Sequence, residues 1–92
     1  MIKIFATKET AAVFAGLSVR RFGNLLQLAR RKLDQVNAAA TLEFLRTPPG
    51  NRLEKLSGDR AGQHSIRIND QWRVCFIWRD GDAWEVELVD YH

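Results

Sequence analysis

The 92-residue sequence predicts an α+β fold, with N-terminal helices packed on one face of a curved antiparallel β-sheet. Three observations predict it. Apolar residues recur at helical spacing as far as about residue 45, and at a period of two from Arg52 onward. Pro48-Pro49-Gly50 divides the two regimes. Asn69-Asp70-Gln71 and Asp80-Gly81-Asp82 then cut the second half into short alternating runs, as in a meander. No internal repeat, low-complexity segment or long linker interrupts the chain, so residues 1–92 are expected to form one domain.

Ile2 to Ala6 is a short apolar run that reads as a strand, and Lys8 to Phe14 as a short helix ended by Gly16-Leu17-Ser18. The strongest helix spans about Val19 to Ala38, with Ser18 as its candidate N-cap. Phe22, Leu25, Leu26, Ala29, Leu33 and Val36 form its apolar stripe. A helical turn is expected over Thr41 to Leu45. The strands are expected at Arg52–Leu56, Gln63–Ile68, Trp72–Arg79 and Ala83–Tyr91.

Alternation assigns faces. Trp72, Val74, Phe76 and Trp78 share one face, and Trp84, Val86 and Leu88 are expected to join it if the Asp80–Asp82 loop has three residues. The same reasoning groups Ile66 and Ile68 with Trp72 and Val74 through a three-residue loop, Asn69 to Gln71. That register sets Arg67 directly opposite Arg73 on the other face. Like charges so placed repel, unless a carboxylate or a phosphate lies between them. Val89 and Tyr91 fall on the arginine face, with Asp90 and His92 nearby.

Charge is unevenly distributed. Residues 1–79 hold all 14 Lys and Arg with six acids, whereas Asp80, Asp82, Glu85, Glu87 and Asp90 occupy the last stretch, which has no Lys or Arg. A basic body favours a polyanionic partner. Glu85 and Glu87 also read as partners for basic residues of a neighbouring strand. One cysteine, Cys75, rules out an internal disulfide, and with only two histidines no structural zinc site or other cofactor is expected. No apolar run suits a membrane span, and the early charges of Met1–Glu9 do not suit a signal peptide, so a cytoplasmic protein is expected.

The residue types suit RNA cleavage. RNA carries its own nucleophile, the 2′-hydroxyl, so a base, an acid and cations on the phosphate suffice, with no metal required. Arginine donates to two phosphate oxygens at once, and histidine titrates near pH 6.5. Each candidate has an ordinary structural reading too. Tyr91 can be a strand-end packing residue, Arg67 a solvated one, and Glu54–Lys55 an exposed pair. His64 alternates with Ile66 and Ile68 and reads as core-facing or boundary. Trp72, Trp78 and Trp84 could stack on bases, but their apolar face marks them as core. Arg30-Arg31-Lys32 reads as a solvated helix face that could also hold RNA phosphates.

The segment Gly58-Asp59-Arg60-Ala61-Gly62-Gln63-His64-Ser65-Ile66-Arg67-Ile68-Asn69-Asp70-Gln71-Trp72-Arg73 resembles the signature stretch of HigB toxins of the RelE superfamily. The ending Val89-Asp90-Tyr91-His92 and the run Pro48-Pro49-Gly50-Asn51-Arg52 resemble it as well, so the likeness extends over essentially the whole chain. The resemblance implies a microbial-RNase-like fold and an endonuclease that cuts mRNA on the ribosome. It implies a HigA-type helix-turn-helix antitoxin as partner. By motif match it makes Asp90, Tyr91 and His92 active-site residues and Arg67 and Arg73 phosphate ligands. Some relatives carry a histidine in place of Glu54 and a lysine in place of Ser57; the base is then Asp90, Glu54 or His92 and the acid His92 or Tyr91, with Lys55, Arg52 and Arg60 adding charge toward RNA. Two alternatives stay open: a non-catalytic toxin that binds RNA or the ribosome, and a toxin of this fold against another target such as gyrase.

Overall fold

The computed structural model describes residues 1–90, so expectations for Tyr91 and His92 lie outside the described residues. Three helices precede a four-stranded antiparallel sheet in chain order: α1 (Lys8–Phe14), α2 (Leu26–Ala38), α3 (Leu42–Arg46), β1 (Glu54–Lys55), β2 (His64–Arg67), β3 (Trp72–Arg79) and β4 (Asp82–Asp90). Thr7 and Thr41 cap α1 and α3, their hydroxyls accepting from the amides of Thr10 and Phe44. Residues 2–6 form no full strand. They join the outer edge of β4 through two parallel bridges, Ile2 to Ala83 and Phe5 to Val86.

The long helix expected over residues 19–38 is broken. A 3₁₀ segment, Arg20–Leu25, comes first, and Gly23 (φ 41°, ψ −117°) kinks the chain before α2 begins. Ser18 caps nothing here, since Val19 holds the cap position of the 3₁₀ segment and makes no side-chain cap bond. The apolar stripe still faces inward: Phe22, Ala29, Leu33 and Val36 are buried against Ile66, Val74, Phe76, Val86 and Leu88 of the sheet. Thr10 ties α1 to the sheet by accepting from the Leu88 amide at 3.0 Å.

The β2–β3 register follows the three-residue loop, with Ile66 opposite Val74 and Arg67 opposite Arg73. The Ile68 amide donates to the Trp72 carbonyl at 2.9 Å to close it. The β3–β4 hairpin differs from expectation in a compensated way. Its turn is two residues, Asp80 (φ 54°) and Gly81 (φ 80°), a pair of left-handed residues that matches the twist of the flanking strands. A β-bulge then places an extra residue on β4, where Glu85 takes φ 52°. Near the turn, Ala83 pairs with Trp78 and is buried, while Trp84 pairs with Ile77 on the opposite face. Trp84 is therefore not a core partner of Val86 and Leu88. It lies beneath the Arg79 guanidinium, 4.6 Å from ring centroid to Cζ. Beyond the bulge, Val74 pairs with Leu88 and Arg73 with Val89, as a three-residue loop would have arranged.

Candidate nucleic-acid interface

Antiparallel partners point to the same side of a sheet. The register therefore builds two adjacent rows on the face turned away from the helices. One is Glu54–Ser65–Cys75–Glu87, and the next is Arg67–Arg73–Val89. The turn Gly58–Arg60 lies over the first row: Arg60 donates to Glu87 from both terminal nitrogens at 3.4 Å and to Gln63 at 3.0 Å. Glu87 thus belongs to this face, although its partner comes from a turn and not from a neighbouring strand.

The two opposed arginines are held differently. Arg67 is half-buried and pairs with Asp70, the exposed carboxylate of the β2–β3 loop. Such a pair adds little stability, because one partner is fully in water. Arg73 is only 8% exposed. Its Nε donates to the Ser65 hydroxyl at 2.7 Å, and its Nη2 donates to the Arg52 carbonyl at 2.7 Å and the Ser65 carbonyl at 3.4 Å. A buried guanidinium needs such partners, since an unsatisfied buried charge is strongly unfavourable. Arg52 reaches this position by adopting a left-handed conformation, φ 45° and ψ 58°.

The remaining candidates separate. Glu54 is exposed and on the arginine face. Lys55 pairs with His64, so the register sends it to the opposite face, away from Arg67 and Arg73. Arg52 enters the site through its carbonyl. Asp90 pairs with Trp72 and so sits at the rim on the helix side, where Gln71 Nε2 donates to it at 3.1 Å. On that side a pocket of about 340 Å³ opens between the 3₁₀ segment and the β2–β3 loop, lined by Phe22, Asn24, Leu28, Gln71 and Trp72 among others. Burial raises the Cys75 thiol pKa, which keeps it a neutral packing group within the face.

His64 is a boundary residue, as its alternation indicated. Its ring stacks on Phe76 with centroids 6.4 Å apart, and burial first, then Lys55 and Arg46, lowers its pKa. Its buried Nδ1 makes no hydrogen bond among the described residues. Sequence reasoning missed two parts of this face. Glu87 read only as an ion-pair partner, and the backbone carbonyl that anchors Arg73 has no sequence signature.

Among the described residues, no helix is long and apolar enough to cross a membrane. Comparison with known proteins agrees with this architecture. The YoeB–YefM complex from Staphylococcus aureus contains a chain of similar fold, with a TM-score of 0.61 and 16% identity over 100% of this chain and 98% of that one. Toxin HigB-1 from Vibrio cholerae serotype O1 is 51% identical over 53 residues, covering 58% of this chain and 56% of that protein. Endoribonuclease HigB from Proteus vulgaris is 42% identical over 41 residues, 45% of each. The chain thus spans about half the length of the curated relatives it matches. The family model described as the RelE-like toxin of type II toxin-antitoxin system HigB matches residues 20–92, and the chain belongs to that family.

Proposed function

We propose that this chain, acting as one toxin domain in the cytoplasm, is an endoribonuclease that cleaves mRNA on the ribosome and is neutralised by a HigA-type helix-turn-helix antitoxin. The observation that carries the reading is the opposed pair Arg67–Arg73 on a sheet face that also presents Glu54. Arginines directly opposite one another repel, and a phosphate between them relieves that repulsion while both guanidinium groups donate to it. Relatives named as a HigB toxin and as Endoribonuclease HigB support the same reading.

In this mechanism Arg67 and Arg73 hold the scissile phosphate. A base takes the proton of the 2′-hydroxyl, the 2′-oxygen bonds to phosphorus, and the bond from phosphorus to the 5′-oxygen breaks as an acid protonates that oxygen. The products are a 2′,3′-cyclic phosphate and a 5′-hydroxyl, and no metal is needed. Glu54 shares the arginine face and is favoured as base over Asp90, which lies at the opposite rim; His92 is the other base candidate, and His92 or Tyr91 is the acid.

The test is mRNA integrity in a purified translation system, mapped by primer extension. The wild-type chain is expected to cut only ribosome-bound message, and Arg73→Ala and His92→Ala to lose about 100-fold or more of the rate. Intact message with translation still blocked would replace this reading with a binding toxin. Blocked DNA supercoiling would point to gyrase.

A further inference from the structure

The run Pro48-Pro49-Gly50-Asn51-Arg52 marks the family resemblance, and it reaches the arginine face through the Arg52 backbone carbonyl. Asn51 is nevertheless fully buried, which is unusual for a polar side chain lacking a charge to balance. Its side-chain amide is satisfied by three groups on two helices, α2 and α3. The Lys32 ammonium donates to Oδ1 at 2.5 Å, and Nδ2 donates to Gln35 Oε1 at 2.9 Å and to the Leu45 carbonyl at 3.1 Å. Its own amide donates to the Pro48 carbonyl at 3.0 Å and closes the turn. The next residue, Arg52, is left-handed, and its carbonyl receives Arg73 Nη2 at 2.7 Å.

We propose that Asn51 is a positioning residue for Arg73: it pins the Pro48–Arg52 turn to α2 and α3, so that the Arg52 carbonyl fixes the guanidinium where the phosphate binds. This rests on the reading of Arg73 as a phosphate ligand. The strained left-handed backbone at Arg52 would relax if its neighbour were not held by three hydrogen bonds to α2 and α3. The carbonyl would then leave Arg73, and the fork would lose the orientation on which a two-oxygen contact depends.

The experiment is single-turnover cleavage of message on programmed ribosomes by Asn51→Ala, Arg73→Lys and the double variant, at a temperature where each is folded by circular dichroism. Asn51→Ala is expected to lower the maximal rate by about 10- to 100-fold, with less change in the concentration giving half-maximal rate. In the Arg73→Lys background the same substitution should cost less than about twofold, because the two act as one unit. Val36→Ala, a core truncation in α2, controls for lost stability and should leave the rate of the folded protein unchanged. Gln35→Met removes one partner of Asn51 and reads the same effect more mildly should Asn51→Ala fail to fold. An unchanged rate in the folded Asn51 and Gln35 variants, or an equal loss in both backgrounds, would overturn the inference and leave the functional reading standing. Full activity of Arg73→Ala and Arg73→Lys would overturn both.

Discussion

His64 shows how one residue can carry a pH signature without taking part in chemistry. Its ring packs on Phe76 with a buried Nδ1 that makes no hydrogen bond among the described residues; burial first, then the charges of Lys55 and Arg46, oppose its protonation. Its folded-state pKa therefore lies below the ordinary imidazole value of 6.5. As pH falls, the unfolded chain takes up this proton before the folded one does. The residue's contribution to stability is complete above about pH 7 and is lost as pH descends from about 6.5 toward the folded-state pKa. His64→Phe should flatten that part of the melting-temperature profile, since it keeps the stack and removes the buried nitrogen. Profiles that run parallel for wild type and variant would show that His64 is protonated equally in both states. Alternation placed His64 correctly at a boundary, and it also set Arg67 opposite Arg73. It carried no information about what holds Arg73, because a carbonyl accepts equally from any residue type and Arg52 shows no sign of its left-handed turn.

Among the elements, the two largest departures from expectation are backbone events. α2 begins seven residues later than periodicity predicts (Leu26, not Val19), because the apolar stripe runs unbroken through Gly23, whose positive φ leaves no mark on periodicity. A methyl group at Gly23 would meet no atom within 4 Å, so Gly23→Ala tests the backbone alone. It should destabilise by about 1–3 kcal/mol, measured by urea denaturation. The bulge at Glu85 is equally silent: Trp84, Val86 and Leu88 alternate as if the strand were regular. With φ 52° at that residue, Glu85→Val should cost about 1–2 kcal/mol, whereas Glu85→Gly should be neutral or stabilising. A Val variant as stable as wild type would mean that the strand can regularise there. The helix-to-strand change at Pro48-Pro49-Gly50 and the three-residue β2–β3 loop were legible because their turn chemistry is local. Glu87 was not, since Arg60 reaches it from a 3₁₀ turn that has no fixed offset from β4.

At the scale of the molecule, the two sheet edges are managed differently. β1 is two exposed charged residues, too short to template another strand. The outer edge of β4 is covered by residues 1–6 through Lys3 and Ala6 donating to Ala83 and Val86 carbonyls, and the Ala83 and Val86 amides donating to Met1 and Ile4. Removing residues 2–6 should lower the melting temperature and promote self-association on size-exclusion chromatography; a variant that stays monomeric and equally stable would show that β4 needs no cover. The β3–β4 hairpin has a further consequence. A two-residue tip plus one bulged residue count the same as a three-residue tip with none. The hairpin therefore works as a parity device: a residue gained at the tip and one lost at position 85 cancel, and Arg73 and Val89 stay in step. Length changes can be exchanged between the solvent end and the bulge without turning the arginine face inside out.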